Sequence, residues 1–255
     1  MKKIISLLIV VLPAFILLFC TASVSEQNKT TGIQKNKNFD ITVLELFTSQ
    51  GCSSCPPADR LLGKYADNQN VIALSFHVDY WNRLGWKDPF SNAAYSQRQK
   101  DYAGIFKLNG VYTPQLVVNG ENEMVGSDAN KISNVIKKVQ EQESTAHINI
   151  NSVKVDSNKA TINYTIQGSE NNSALNIALV QSEINTSIKA GENRGLNLTN
   201  YNVVRNFKTI PSVIEGTNTV SIALVPGVNK KDCIITAFLQ NPQTYKISAA
   251  AKSAL

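Results

Sequence analysis

Thr48-Ser49-Gln50-Gly51-Cys52-Ser53-Ser54-Cys55-Pro56-Pro57 sets two cysteines two residues apart at the point where the character of the chain changes. Upstream, Ile41-Thr42-Val43-Leu44-Glu45-Leu46-Phe47 is almost entirely apolar and rich in β-branched residues, the pattern of a strand buried on both faces. Downstream, Ala58, Leu61, Leu62 and Tyr65 recur at helical spacing behind two prolines, which a first helical turn tolerates because their missing N–H groups would be unpaired there anyway. The cysteines therefore sit where a strand turns into a helix. Unpaired N–H groups and the positive end of the helix dipole favour a thiolate at such a place. Cys52 is the candidate nucleophile, and Cys55, one turn on, the candidate resolving thiol. Two other uses of the pair stay open. One is a purely structural disulfide. The other is metal binding, for which zinc wants four ligands while the chain offers only His77 and His147 beside its cysteines.

Further along, Val71-Ile72-Ala73-Leu74-Ser75-Phe76-His77-Val78 reads as a second buried strand. A strand, helix, strand unit of this length implies a parallel crossover, so the end of the second strand should emerge on the same sheet edge as the cysteine loop. That places His77, Asp79, Tyr80 and Trp81 near Cys52. The aperiodic run Tyr80 to Phe90, with Trp81 and Trp86, is too aromatic for a solvated loop and is expected to wall the site. A helix fits Ser91 to Phe106, a hairpin turning at Asn119-Gly120 fits Tyr112 to Val125, and a helix carrying Ile132, Val135, Ile136 and Val139 follows.

The resulting order, β, α, β, α, β, β, α with a dithiol after the first strand, resembles that of thioredoxin. In that superfamily a cis-proline opens the third strand beside the dithiol, and Pro114 after Thr113 stands in the matching place, at the one kind of peptide bond for which cis is accessible. Thr113, Pro114, Asp79, Tyr80, Trp81 and Trp86 are accordingly the expected substrate-contacting residues. The runs Leu44 to Asp59, His77 to Trp81, Leu84 to Phe90 and Val111 to Gln115, with the distant Gly191-Glu192-Asn193-Arg194-Gly195 and Asn202-Val203-Val204-Arg205, resemble a family of secreted bacterial thioredoxin-like proteins known as domain of unknown function 1223. The resemblance implies a thioredoxin-like fold and export, and brings no settled substrate.

Past Ser144 the pattern shifts to period-2 alternation between Asn, Ser and Gly clusters, giving six or seven antiparallel strands. The expected fold class is thus an α/β thioredoxin-like domain, residues 39–144, followed by a small all-β immunoglobulin-like sandwich, residues 145–255. Cys233 alternates with Ile235, Ala237 and Leu239 and reads as an inert core thiol. Arg194 and Arg205 flank a loop, Ala190 to Asn200, that either reaches back to the first domain or is an ordinary polar loop.

At the start, Met1-Lys2-Lys3 and the apolar run Ile4 to Phe19 read as a signal peptide, residues 1–22, with cleavage after Ala22. Leu17-Leu18-Phe19-Cys20 doubles as a loose lipoprotein box, which would attach the chain to a membrane through Cys20. Residues 23–38 are polar and read as a disordered tether. Without Lys2 and Lys3 the chain holds 23 basic and 19 acidic residues, a mild excess with no basic run, which argues against nucleic acid as a partner. An exported location, periplasmic or extracellular, lets disulfides persist.

The functional expectation is a thiol-disulfide oxidoreductase acting on protein or small-molecule thiols, with no cofactor. Glu45, a carboxylate in an apolar strand, is the candidate proton acceptor for Cys55, the alternative being a salt bridge to a lysine or to Arg60. A non-catalytic envelope binding module stapled by the disulfide is the competing class. A Cu(I) site of Cys52, Cys55 and His77 is a third.

Overall fold

The computed structural model describes residues 41–169 and 172–255. The signal peptide, Cys20 and the tether lie outside the described residues. The expected order of elements is present up to residue 140: β1 (Thr42–Thr48), α1 (Pro56–Gly63), β2 (Val71–His77), α2 (Ala93–Ile105), β3 (Gln115–Val118), β4 (Asn122–Val125) and α3 (Ala129–Gln140). β1 and β2 are parallel, with Thr48 opposite His77 at their ends. The crossover thus brings His77 to the edge from which the cysteine loop leaves. β3 and β4 turn through Asn119 and Gly120, both at positive φ.

The remaining strands are β5 (His147–Asp156), β6 (Lys159–Gln167), β7 (Ala174–Ser187), β8 (Asn197–Ile210), β9 (Gly216–Ala223), β10 (Cys233–Gln240) and β11 (Ile247–Ala254). They do not build a separate sandwich. Four of them continue the first sheet, in the order β11-β10-β7-β8-β2-β1-β3-β4, and only β5, β6 and β9 form a second sheet. The expectation of an α/β thioredoxin-like domain followed by an independent immunoglobulin-like one is therefore overturned: the fold is mostly β, built on one eight-stranded mixed sheet. The seam is the parallel contact of β2 with β8, where Ser75 faces Val203. Periodicity marks the inward residues of β6 and β9, whereas β7 and β10, expected to keep one wet face, are buried on both faces over their core stretches. Periodicity carries no information on which strand lies at a sheet edge, and β2 is not an edge.

A shared core explains why the two halves fuse. On the face covered by α2, Val43 and Phe47 of β1 and Ile72, Leu74 and Phe76 of β2 pack in one cluster with Ala178 and Val180 of β7, Val204 of β8 and Phe238 of β10. Rings bridge the seam, with Phe76 at 5.6 Å from Phe47 and 5.3 Å from Phe207. On the opposite face, α1 and α3 cover Leu44, Leu46, Leu116 and Val118, and the three-stranded sheet covers Leu175, Ile177, Leu179, Ile235, Ala237 and Leu239. Cys233 is buried in this second region, its Sγ 3.3 Å from the Asn229 carbonyl. The described residues, 41–169 and 172–255, belong to a single compact unit.

Candidate functional site

β1 ends at Thr48, and the chain turns through seven residues, 49–55, before α1 begins. Cys55 caps that helix from outside, its carbonyl accepting from the N–H groups of Ala58 (2.9 Å) and Asp59 (3.1 Å). Cys52 and Cys55 are joined in a disulfide. Ser53 and Ser54 are exposed, yet both cysteines have 0% of their surface accessible. No incoming thiol touches either sulfur while the surrounding loops are in place.

Three segments make that cover. The first is the cis Thr113–Pro114 bond ahead of β3, whose Thr113 carbonyl accepts from Ser54 Oγ at 3.4 Å. The second is the aromatic loop after β2. Trp81 Nε1 donates to Thr113 Oγ1 at 2.9 Å, and Trp86 Nε1 donates to Gln50 Oε1 at 3.1 Å. The third is the tip of the β7–β8 hairpin, residues 188–196. Asn193 Nδ2 donates to the carbonyls of both Gln50 and Cys52, each at 2.9 Å, and Glu192 Oε2 accepts from the Ser53 N–H at 3.1 Å. Gly191 makes this turn with φ of +74°, and a Cβ there would stand 3.2 Å from Trp86 Cβ, so the tip rests on the indole's base. Gln50, fully buried, ties the layers together, its Nε2 donating to Thr186 Oγ1 (3.0 Å) and Asn200 Oδ1 (2.9 Å) on the hairpin arms.

Beneath the cysteines lie three buried titratable groups. His77 Nδ1 donates to Asp88 Oδ2 at 2.7 Å, and Asp88 also accepts from the Gln50 N–H at 2.8 Å. Asp59, one helical turn after Cys55, accepts from Thr48 Oγ1 at 3.3 Å. Burial pushes the Asp59 carboxyl up to about 7, against the opposing pull of the His77 charge. Burial would lower the His77 imidazole, but the charges of Asp88 and then Asp59 outweigh it and hold it raised. Burial would raise Asp88, but the His77 charge and the hydrogen bonds it accepts keep it lowered. His77 Nε2 is buried without a hydrogen-bond partner among the described residues.

The structure brings together Cys52, Cys55, Thr113, Pro114, Trp81 and Trp86. Tyr80 lies beside Trp81 and donates to Gln99 Oε1, whereas Asp79 is bound to Ser96 of α2. Glu45 is not beside the cysteines. It points to the α2 face of β1, while α1 and Asp59 lie on the face of Leu44 and Leu46. It accepts two hydrogen bonds from Arg98 (2.5 and 3.0 Å) and one from Tyr102 (2.5 Å), an ion pair with a partner other than those anticipated. Among the described residues no three His, Cys, Asp or Glu side chains cluster in a way that could hold a metal ion. Sequence reasoning missed Asp59, Gln50, Asp88 and Asn193. Asp59 had a readable signal, being one turn beyond Cys55 on a helix whose neighbours are apolar. Asn193 had none short of the tertiary contact.

No functionally curated protein matches this chain. Among solved structures, a crystal structure of a structural-genomics protein from Agrobacterium tumefaciens is 29% identical, with a TM-score of 0.65 over 84% of this chain and 94% of that one. A domain of an outer membrane lipoprotein from Porphyromonas gingivalis (12% identical, 44% of this chain and 96% of that one) has a TM-score of 0.29, too low to bear on fold or activity. The family model for proteins of unknown function DUF1223 matches residues 43–240, the span from β1 through the capping hairpin to β10, and the chain belongs to that family.

Proposed function

We propose that this protein is an exported thiol-disulfide oxidoreductase whose reactive pair is Cys52 and Cys55 and whose proton acceptor is Asp59. The observation that carries the reading is the disulfide at the start of α1 with a buried carboxyl, held near neutrality in its titration, one turn behind it. In the reduced protein the Cys52 thiolate attacks a substrate disulfide, forming a mixed disulfide and releasing the first substrate thiolate. The Cys55 thiol then gives its proton to the Asp59 carboxylate and attacks Cys52 Sγ. That closes the Cys52–Cys55 bond and expels the second substrate thiolate, so the substrate gains the two electrons that the protein loses. Oxidation of a substrate dithiol runs the same steps backwards. Substrates are thiols or disulfides of proteins or small molecules, entering beside Thr113 and Trp81 once the hairpin tip lifts. Export is supported by the charged, then apolar, first nineteen residues. In the described residues no helix is long and apolar enough to cross a membrane.

A second reading, a binding module stapled by its disulfide, is favoured by one observation, the complete burial of both sulfurs. Trapping separates the two. Cys55→Ser should accumulate covalent mixed disulfides with model peptide disulfides, whereas Cys52→Ser should not, because attack and resolution use different sulfurs. Equal trapping by both variants overturns Cys52 as nucleophile. Trapping by neither, with the disulfide resisting reduction, selects the staple.

A further inference from the structure

Arg205 belongs to a motif that the redox reading leaves unused, and it lines a cleft of about 460 Å³ between α2 and strands β7, β8 and β10. That volume suits a small organic ligand. Two arginines, Arg98 and Arg205, line the space. Arg98, 10% exposed, is fixed from behind by Glu45, which neutralises it. Its hydrogen bonds run through Nε and Nη2, and Nη1 makes none among the described residues. Arg205 has no carboxylate within ion-pair distance among the described residues. It donates through Nη1 to Gln181 Oε1 and lies 5.0 Å over the Phe90 ring, and its Nε and Nη2 make no hydrogen bond among the described residues. A half-buried cation with no counter-charge is unusual, since burial disfavours it unless something pairs with it.

Much of the remaining lining is of two kinds. Tyr95, Phe207 and Tyr245 supply aromatic surface. Asn176 and Gln240, both buried, form a closed network in which Asn176 Nδ2 donates to Gln240 Oε1 (2.9 Å), Thr209 Oγ1 to Asn176 Oδ1 (2.7 Å) and Arg98 Nη2 to Gln240 Oε1 (3.0 Å). A floor whose amides are already satisfied does not recruit a sugar-like array of hydroxyls. What it leaves unsatisfied is one positive charge beside aromatic walls. The opposing charge at the cleft is Asp101, which accepts from Gln97 at 2.8 Å.

We infer that this cleft is a binding site for a small aryl carboxylate, its carboxylate taken by Arg205, its ring against Phe207 and Tyr245. Arginine's planar fork matches a carboxylate with two parallel hydrogen bonds. The site is separate from the disulfide yet not electrically isolated from it, because Arg205 is one of the charges felt at His77. The inference does not depend on the redox reading, and its test does not use thiol chemistry.

Calorimetric titration of the full mature chain with naphthoate, naphthamide and inorganic phosphate tests it. Naphthoate should bind saturably, with naphthamide and phosphate each weaker by about tenfold or more, since each lacks one half of the recognition. Arg205→Gln should weaken naphthoate by about tenfold, with Arg205→Lys retaining part of the affinity because it keeps the charge and loses the fork. Asp101→Asn, a change at a partly exposed site, should tighten it. Thermal melting checks that each variant is folded. No saturable naphthoate binding, naphthamide or phosphate binding as well as naphthoate, or a folded Arg205→Gln with unchanged affinity overturns the proposal. If Arg205→Gln does not fold, the Asp101→Asn result decides alone, and unchanged or weaker naphthoate binding overturns it.

Discussion

Asp59 is a carboxylic acid whose surroundings hold its proton far beyond the ordinary range, and the consequence is measurable in stability as well as in exchange. Folded, it titrates at about 7; unfolded, it returns to near 3.8. Between those values the folded state keeps a proton that the unfolded chain releases, so stability falls as pH rises across that window. His77, also raised, adds a loss that begins above its ordinary 6.5. Asp88, lowered, contributes stability that is present above 3.8 and lost as pH falls. Stability is therefore expected to peak in mild acid. Asp59→Asn should be the more stable protein at about pH 8, by up to something on the order of 4 kcal/mol at about 1.4 kcal/mol per pKa unit, with the difference gone by about pH 4. Urea unfolding at the two pH values checks it. The same variant should slow resolution of the mixed disulfide while leaving its formation intact, read by stopped-flow with a peptide disulfide. Glu45 shows how the sequence misdirected this search. A carboxylate in an apolar strand demanded an explanation, but the explanation is Arg98, fifty-three residues on, with aromatic rings around its guanidinium.

At the scale of elements, the decisive piece is the hairpin of β7 and β8. The first seven residues of β7 are buried in the sheet, and the rest are half-buried or exposed, so the strand pair runs on past the core as an arm. Its tip is held over the disulfide by Asn193 through two hydrogen bonds and by Glu192 through one. Asn193→Ala removes the two that reach backbone carbonyls and should free the tip to open. We expect reduction of Cys52–Cys55 by dithiothreitol to quicken by about tenfold or more with little change in melting temperature, because the lost bonds lie at the hairpin tip, outside the hydrophobic clusters of the sheet. An unchanged reduction rate would show that the cover is the Trp81 and Thr113 side instead. Much of the first half was legible at this scale: the strand leading into the dithiol loop, the helix entered through Pro56-Pro57, and the turn at Asn119-Gly120 each rest on local backbone chemistry. The loop Ala190 to Asn200 was legible only as polar.

At the scale of the whole molecule, the eight-stranded sheet makes the cysteine-bearing half dependent on the rest. Excising residues 39–144 would leave β2 as an open edge and strip Ala178, Val180, Val204 and Phe238 from the core under α2. Such a fragment should not fold, since an exposed apolar edge strand pairs with other chains rather than with water. The intact chain should unfold in one calorimetric transition, with the van't Hoff and calorimetric enthalpies equal. Two resolved transitions would restore two independent bodies.

The sequence by itself determined the chemistry-bearing turn, the parallel pairing that brings His77 to it, the proline that sits beside it and the two-sided burial of β1 and β2. These follow from interactions within a few residues or from periodicities that any fold must respect. Only the tertiary structure decided that β8 pairs with β2, that Asn193 seals the disulfide and that Asp59 rather than Glu45 stands behind it. Each of these depends on which face or edge of a strand meets which distant partner. A strand buried on both faces carries no mark of its lateral neighbour.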